Sequence, residues 1–373
     1  MTTVHQEKSI AQTSTPSMRE SGIELFRIIS MLLIIAHHYM GNSGVLQIAY
    51  QNPLSVNSLF LFLFGGWGKT GINCFLLITG YFMCTSHITT KKFIKLLGEV
   101  MFYRIVIYTI FLLTGYQAFS LKSFVVMILP LVEIGANFDG CFLVFYLCIP
   151  FLNILIKNMS ERQHIYLLII LLFMYTVIGT LPKFSVTMNY VSWFSVLYFL
   201  AAYIRIYPKK IFDNKTFWGF ALLISFIISA LSIVACAWLG GKINQNMAFY
   251  FVSDSNKVLA LATGLCGFMF FKNIKFKNKF INTVAASTFG VLLIHANSST
   301  MRQWLWKDVV NVVGAYGSSW LILHAIVSVC VIFIVCTMID FIRLRFIETP
   351  LMKKFDARFK AIDKYIQGNK DQA

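Results

Sequence analysis

The segment Glu24-Leu-Phe-Arg27-Ile-Ile-Ser-Met-Leu-Leu-Ile-Ile-Ala-His37-His38-Tyr39 lies in an apolar run, residues 22–40, that is long enough to cross a bilayer. Four ionisable side chains interrupt this run: Glu24, Arg27, His37 and His38. Such groups are costly to place inside a membrane, so the default expectation is that they face the interior of a helix bundle. The segment therefore predicts a transmembrane helix that carries functional side chains.

The rest of the chain also has the composition of a membrane protein. Of its 373 residues, 58% are hydrophobic and 13% are charged, whereas soluble domains typically contain about 25% charged residues. The sequence predicts an all-α, polytopic transmembrane bundle. Ten apolar runs mark its expected spans, near residues 22–40, 59–83, 96–114, 141–156, 165–182, 190–206, 217–239, 255–271, 281–299 and 318–342.

One further apolar stretch, residues 123–135, is too short to cross a membrane and contains Pro130. It predicts a re-entrant or interfacial segment. The net charge of +17 is spread over short loops and does not gather on one surface, which excludes nucleic acid as an expected partner.

The distribution of lysine and arginine predicts the orientation. With the N-terminus inside, 23 of the 32 basic residues are assigned to the inner side and 7 to the outer side. Lys69, Arg205 and Lys257 are counted with the nearer side of their spans, and Arg27 and Arg104 are left within spans. Basic loops stay on the cytoplasmic side, so both termini are expected in the cytoplasm of a multi-pass protein of the cell membrane. Anionic membrane lipids are the expected partners of the basic inner surface.

Three regions follow from this arrangement: a disordered cytoplasmic tail at 1–21, a ten-span membrane domain at 22–347 and a cytoplasmic C-terminal tail at 348–373. The first 21 residues lack the apolar core of a signal peptide, so the first span is expected to stay as an anchor. Eight cysteines follow no paired spacing and lie in or beside apolar runs, so neither disulfides nor a metal site is predicted.

Arg27 and His38 share one face of the first helix. Their separation of eleven residues corresponds to about 1100° of rotation, roughly 20° from full registry, and to about 16 Å along the axis. Both side chains are therefore expected to face one internal cavity, with Arg27 near the cytoplasm and His38 near the outer end. His37 points about 80° away from that face.

The chemistry of these groups suits the transfer of an acyl group from an anionic donor. The guanidinium of Arg27 suits phosphate, and Glu24, one turn earlier, could pair with it. His38 can take a proton from a hydroxyl nucleophile near neutral pH. The alternatives are a purely structural Glu24–Arg27 ion pair at the inner interface and interfacial histidines bonded to carbonyls or headgroups.

Five motifs in this sequence resemble those of the integral membrane acyltransferases called acyltransferase family 3. They are Glu24-Leu-Phe-Arg27 with His38, the segment from Gly71 to Thr79-Gly80-Tyr81, Tyr198-Phe199-Leu200-Ala201-Ala202-Tyr203-Ile204-Arg205, Ser287-Thr-Phe-Gly-Val-Leu-Leu-Ile-His295, and Phe346-Ile-Glu348-Thr-Pro350. The resemblance covers roughly residues 20–352. Ala201, Leu292 and the segment 138–142 depart from the family pattern, which puts acceptor contacts in doubt more than the reaction.

The resemblance implies acyl-CoA as the donor, bound from the cytoplasmic side with the help of Arg27, and His38 as the catalytic histidine. His295 would lie at a depth similar to His38, so the two could flank one site, although a capping role for His295 is the alternative. Arg104 is a second candidate for binding the donor, or it could pair with Glu99. Tyr81 is a candidate for orienting a substrate, with an interfacial tyrosine as the alternative, and His37 is a weaker candidate for substrate binding.

These observations predict an O-acyltransferase that moves an acyl group, expected to be acetyl from acetyl-CoA, to a hydroxyl of a cell-envelope or surface polysaccharide. The acceptor would be a glycan or a lipid-linked saccharide. A transporter or flippase for a lipid-linked saccharide is the main alternative, and a catalytically silent sensor built on the same fold is a third. Repeated halves with paired broken helices are common in transporters, and residues 22–182 and 190–342 do not resemble each other.

Overall fold

The structure is a computed structural model that describes residues 20–131, 138–184 and 186–368. Within these residues the chain forms helices and no strand. The first eight helices are α1 Ser21–Gly41, α2 Val45–Gln51, α3 Val56–Gly65, α4 Gly68–Met83, α5 Thr90–Leu113, α6 Leu121–Ile128, α7 Phe138–Asn158 and α8 Glu161–Leu172. The remaining ten are α9 Tyr190–Ile206, α10 Lys215–Ile243, α11 Val258–Lys272, α12 Lys279–Ala286, α13 Thr288–His295, α14 Ser299–Gln303, α15 Val312–Ala315, α16 Leu321–Arg343, α17 Thr349–Lys354 and α18 Asp356–Gly368.

Short irregular turns extend several of these helices. π-helical turns follow α8, α14 and α16, at Phe173–Ile178, Trp304–Val309 and Leu344–Glu348, and a 3₁₀ turn lies at Lys210–Asp213. The predicted tail 1–21 lies outside the described residues apart from its last two, and α1 already begins at Ser21.

Seven helices in the described part of the chain are long and apolar enough to cross a membrane, or eight if one bent pair counts as a single span. The bent pair consists of Lys279–His295 and Ser299–Ala315, which meet at 93°. Two further apolar helices, Tyr190–Ile206 and Val258–Lys272, are shorter. The prediction of a multi-pass helical bundle is confirmed. Each of the ten predicted segments contains helix, but only seven or eight spans meet the length and apolarity of a membrane helix, so the count of ten stays a prediction.

The ninth predicted span, 281–299, differs most from its prediction. The chain breaks at Ser287, between α12 and α13, and turns sharply after His295. At this turn the side-chain amide of Asn297 donates to the carbonyl oxygen of Leu293 at 3.0 Å and so satisfies a carbonyl at the helix end. The turn fixes His295 at the end of α13.

The predicted re-entrant segment 123–135 is described only in part. Its first half belongs to α6, which ends at Ile128 ahead of Pro130, and residues 132–137 lie outside the described residues.

Helix α1 lies at the centre of the bundle, packed against α3, α4, α11, α12, α13 and α16. Glycines on α4 permit its close approach. A Cβ at Gly68 would lie 2.3 Å from the Cβ of His37, and one at Gly71 would lie 2.8 Å from the carbonyl oxygen of Ser30. Small residues of this kind let helix backbones approach closely in membranes. The start of α4 is thereby held against the last turns of α1.

The C-terminal helix α18 packs against the start of α5. Asp363 Oδ1 accepts a hydrogen bond from the backbone N–H of Thr90 at 2.8 Å, and Asp356 forms an ion pair with Lys91. Hydrogen bonds from Lys360 and Lys91 lower the pKa of Asp356 to about 2. The carboxylate therefore stays ionised at physiological pH, and the contact between the tail and α5 is retained.

Candidate active site

Two histidines from distant parts of the chain meet at one end of α1. His38, in the last turn of α1, and His295, the last residue of α13, place Nδ1 of the former 3.0 Å from Nε2 of the latter. Their ring centroids are 5.1 Å apart. The structure therefore brings together the two histidines that were expected to flank one site.

The hydrogen bonds of this pair fix the tautomers of the neutral rings. Nδ1 of His295 lies 2.6 Å from the carbonyl oxygen of Val291, which can only accept, so this nitrogen carries a hydrogen. Nε2 of a neutral His295 is then an acceptor, and Nδ1 of His38 donates to it. His38 keeps an unprotonated Nε2, which is the form that a base or a nucleophile requires.

His38 lines a cavity of about 190 Å³. About half of the wall is apolar or aromatic, with Ile34, Ile72, Phe138, Tyr190 and Leu292 among its residues. The charged groups of the wall are Lys69, Asp139 and Arg302. The cavity thus places an imidazole beside fixed charges inside the helix bundle, where electrostatic interactions are stronger than in water.

Lys69 is held in place by two partners. Its ammonium group donates to the hydroxyl of Tyr190 at 2.7 Å and lies 3.5 Å from a carboxylate oxygen of Asp254. No motif in the sequence singles out this lysine. The feature that could have identified it is a single lysine within the glycine-rich stretch 65–71 of an otherwise apolar run.

Arg104 is buried and paired with Asp139. Its Nε and Nη2 atoms both lie 2.8 Å from Oδ2 of Asp139, and Nη1 donates to the carbonyl oxygen of Val126 at 2.8 Å. The alternative prediction, that Arg104 pairs with Glu99, is wrong. Glu99 instead pairs with Arg343 at 2.9 Å. Five residues along a helix rotate Arg104 by about 140° from Glu99, so the two side chains face different neighbours.

Arg27 lies toward the other end of α1. Its Nε is 3.3 Å from Oε2 of Glu24, and its guanidinium lies 5.9 Å from the ring centroid of Phe75. Arg27 is not among the residues that line the cavity of His38. The expectation that one cavity contains both groups is therefore not met in this structure, although the Glu24–Arg27 pair forms as predicted.

The two weaker candidates for substrate binding occupy different ends of the bundle. His37 lines the same cavity as His38, and its Nδ1 lies 2.9 Å from the carbonyl oxygen of Gly65. Tyr81 follows Lys69 by twelve residues, about 18 Å along α4. Its hydroxyl accepts a hydrogen bond from Arg205 at 3.0 Å, and the guanidinium of Arg205 lies 4.8 Å from the centroid of its ring.

Beside the site, the structure shows one polar contact of a histidine to which the sequence assigns no role. His324 bonds the hydroxyl of Tyr39 at 2.8 Å, next to the site on α1. All eight cysteines are free. Over the described ranges, no group of three or more His, Cys, Asp or Glu side chains is arranged to hold a metal ion.

Comparison with known proteins identifies the family. The model of the acyltransferase domain known as acyltransferase family 3 matches residues 20–340, most of the chain and the whole of the site described above. No curated protein and no solved structure matches the sequence. With this extent of match and its apolar helices, the chain belongs to acyltransferase family 3 and is a multi-pass membrane acyltransferase.

Proposed function

We propose that this enzyme transfers an acetyl group from acetyl-CoA to a hydroxyl of a cell-envelope or surface polysaccharide. The observation that carries the proposal is the hydrogen bond of 3.0 Å between His38 Nδ1 and His295 Nε2. It leaves Nε2 of His38 as the basic nitrogen of an imidazole that lines a cavity, and it gives the imidazole a fixed orientation.

In the proposed reaction, Nε2 of His38 removes the proton of the acceptor hydroxyl while the hydroxyl oxygen attacks the thioester carbon. The tetrahedral intermediate collapses as the C–S bond breaks, and the proton on Nε2 passes to the leaving sulfur to give CoA thiol and the ester. In a second route, Nε2 attacks the thioester carbon and the C–S bond breaks, so that CoA leaves as the thiolate. The hydroxyl oxygen then attacks the acyl carbon, the C–N bond to Nε2 breaks, and the hydroxyl proton passes to the thiolate. Both routes use the same nitrogen.

Lys69 is the group that we assign to stabilise the negative charge on the oxygen of the tetrahedral intermediate. Its position is fixed by Tyr190 and Asp254 before substrate binds, so no reorganisation is needed during the reaction. Charges that are fixed in advance in an apolar site provide much of the stabilisation of such intermediates.

The donor is proposed to enter from the end of the bundle that contains Arg27, Glu24 and Tyr81, the end predicted to face the cytoplasm. Arg27 would bind its phosphates, and Tyr81, held by Arg205, would contact the donor and not the acceptor. Arg104 is the weaker candidate for the donor, because its partner Asp139 lines the cavity of His38, at the opposite end of the bundle from Arg27. The pantetheine arm would then extend along α1 toward His38.

The bent pair at 93° is the feature that a saccharide transporter or flippase would share, since broken helices are common in such proteins. A transporter, however, would not release thiol from acetyl-CoA. Release of CoA by the purified protein in lipid nanodiscs, with the acetyl ester detected by mass spectrometry of the glycan, therefore separates the two functions.

The test of the proposal is His38→Ala, with His87→Ala as the matched control because His87 is an exposed histidine outside the cavity. We expect His38→Ala to abolish both CoA release and ester formation while the protein stays folded and inserted. His87→Ala should keep the activity of the parent protein. Full activity in His38→Ala would overturn the assignment.

A further inference from the structure

A second cavity, of about 500 Å³, adjoins the cavity of His38. The two share Asn297 and Arg302, which follow the sharp turn after His295. The two cavities therefore lie side by side. None of the proposed catalytic steps uses this larger space.

Most of the residues that line the second cavity have polar side chains. They include the hydroxyl-bearing Ser123, Ser299 and Thr300 and the amide Gln117. Ser298 and Asn297 also line it, although the Ser298 hydroxyl accepts from the backbone N–H of Met301 and the Asn297 amide donates to the carbonyl oxygen of Leu293. Hydroxyls and amides each offer both donors and acceptors of hydrogen bonds. Saccharide hydroxyls have the same dual character, so this wall suits a sugar better than the apolar arm of a thioester.

The charges around the second cavity are positive. Arg302 and Lys122 both line it, and neither forms an ion pair with a carboxylate among the described residues. The third cation, Arg104, is neutralised by Asp139. The planar guanidinium of Arg302, at the junction of the two cavities, suits two-point binding of a carboxylate or a phosphate.

We propose that the second cavity binds the acceptor and that the acceptor is an anionic saccharide, with a carboxylate or phosphate group paired to Arg302. The hydroxyl that is acetylated then lies on the same or a neighbouring sugar, directed at Nε2 of His38. This inference rests on the proposed function. It adds the chemical class of the acceptor and a specificity-determining residue, Arg302.

CoA is also anionic, so the position of the second cavity must decide whether the donor or the acceptor binds Arg302. Arg302 and Asn297 lie at the end of α1 that contains His38, whereas Arg27 and Tyr81 lie toward the opposite end. A donor bound at Arg27 would present its thioester, not its phosphates, at the end where Arg302 lies. The acceptor is therefore the ligand whose negative charge meets Arg302.

The experiment measures acetyl transfer by nanodisc-embedded protein to three acceptors of equal length: trigalacturonate, maltotriose 1-phosphate and neutral maltotriose. For Arg302→Ala we expect the KM of the preferred anionic acceptor to rise about tenfold or more, because a charge-assisted contact is lost. The KM for acetyl-CoA and the kcat should change little. Arg302→Lys should recover part of the loss, and Lys307→Ala, an exposed cation nearby, should behave like the parent.

The anionic acceptor that the enzyme prefers identifies the acidic group that Arg302 binds, since trigalacturonate carries carboxylates and maltotriose 1-phosphate carries a phosphate. Added salt should raise the KM of the anionic acceptor and leave that of maltotriose unchanged. Equal use of neutral and anionic acceptors, or a higher KM for acetyl-CoA in Arg302→Ala, would overturn the inference while leaving acyl transfer intact.

Binding of the trisaccharides to an inactive variant tests the inference without any acetyl transfer. The His38→Ala protein should bind one of the two anionic trisaccharides in a salt-dependent manner, and the double variant with Arg302→Ala should not. If neither trisaccharide binds to a protein that still melts cooperatively, the assignment of the second cavity is wrong. Failure of the proposed function gives a different result. In that case, none of the acceptors supports a release of CoA that is lost in His38→Ala.

Discussion

His295 contributes to the site through His38. Its Nδ1 hydrogen is committed to the carbonyl oxygen of Val291 at 2.6 Å, so its Nε2 can only accept the hydrogen of His38 Nδ1. This places His295 in the role of a positioning residue, which selects the reactive tautomer and orientation of another side chain. Its removal should therefore slow the reaction more than it weakens binding.

We expect His295→Ala to lower kcat by about 10²-fold or more with a small change in either KM, because general base catalysis depends on the correct proton and geometry. His295→Gln should retain more activity, since a side-chain carbonyl can still accept from His38 Nδ1. Steady-state kinetics of both variants provide the test. Equal kcat values for the two variants would argue against positioning through this hydrogen bond.

Replacement of Arg27 tests donor binding separately from acceptor binding. Arg27→Ala should raise the KM for acetyl-CoA by about tenfold through loss of a charged contact to phosphate, with little effect on the acceptor KM. Arg162→Ala, which removes an exposed arginine on the same predicted side, is the control. The measurement is the dependence of CoA release on acetyl-CoA concentration, and an unchanged curve would contradict the phosphate role.

Single-residue predictions from sequence succeeded where the information is local. The spacing of Glu24, Arg27 and His38 belongs to one helix, so the Glu24–Arg27 pair and the inward position of His38 follow from helix geometry. Lys69 and Arg302 reach the cavity from other segments, and tertiary packing alone decides that. No spacing within one helix contains this information.

At the scale of elements, the contact of α1 with α4 positions the site. A Cβ at Gly68 would lie 2.3 Å from the Cβ of His37, so any side chain there must push the two helices apart. Because both helices contribute to the cavity, this contact links packing to catalysis.

We expect Gly68→Ala to lower the thermal stability and to reduce activity. Gly98→Ala is the matched control, since a Cβ at Gly98 meets nothing within 4 Å. Alanine there should be neutral or should stabilise the protein by up to about 1 kcal/mol, because alanine favours helix. Melting curves in the same detergent compare the two. A stable and fully active Gly68→Ala protein would contradict the close contact.

The elements themselves were well predicted, because an apolar run of about 20 residues carries enough information to place a membrane helix. The sharp turn after His295 was not. The run 281–299 is apolar throughout most of its length, and the turn depends on local capping by Asn297 and on the fit of α14 beyond it. Hydropathy does not record either feature.

At the scale of the whole molecule, one buried arginine joins α5 to the end of α16. Arg343 pairs with Glu99 at 2.9 Å, with Asp340 at 2.9 Å and with Glu348 at 2.7 Å. The hydroxyl of Tyr103 also donates to Asp340 at 2.7 Å. The arginine is thus the shared partner of three carboxylates from separate turns of the structure.

Removal of this arginine leaves the three carboxylates without their shared cation. We expect Arg343→Ala to destabilise the protein by about 3–5 kcal/mol, the usual effect of breaking a buried ion pair. Arg345→Ala, two residues away and exposed, should have little effect. The yield of monodisperse protein and its melting temperature measure the difference, and similar values for the two variants would show that the cluster is dispensable.

The loop contacts agree with the predicted alternation of sides. Each joins two segments assigned to the same side of the membrane: Ser21 with Phe276, Glu161 with Lys209, Asn57 with Tyr316 and Tyr116 with Asp308. An error of one span between any two partners would have placed them on opposite faces. These contacts constrain which segments lie together, whereas the distribution of basic residues predicts which group faces the cytoplasm.

Labelling of introduced cysteines tests which end of the bundle faces the outside of the cell. Lys122→Cys lies at the second cavity and Lys277→Cys at the opposite end, and both positions are exposed. In intact cells, a membrane-impermeant maleimide should label Lys122→Cys, and Lys277→Cys should react only after the cells are opened. The parent protein measures background from its eight native cysteines. The opposite pattern would place the His38 cavity toward the cytoplasm, and an extracytoplasmic glycan could not then reach Nε2 of His38.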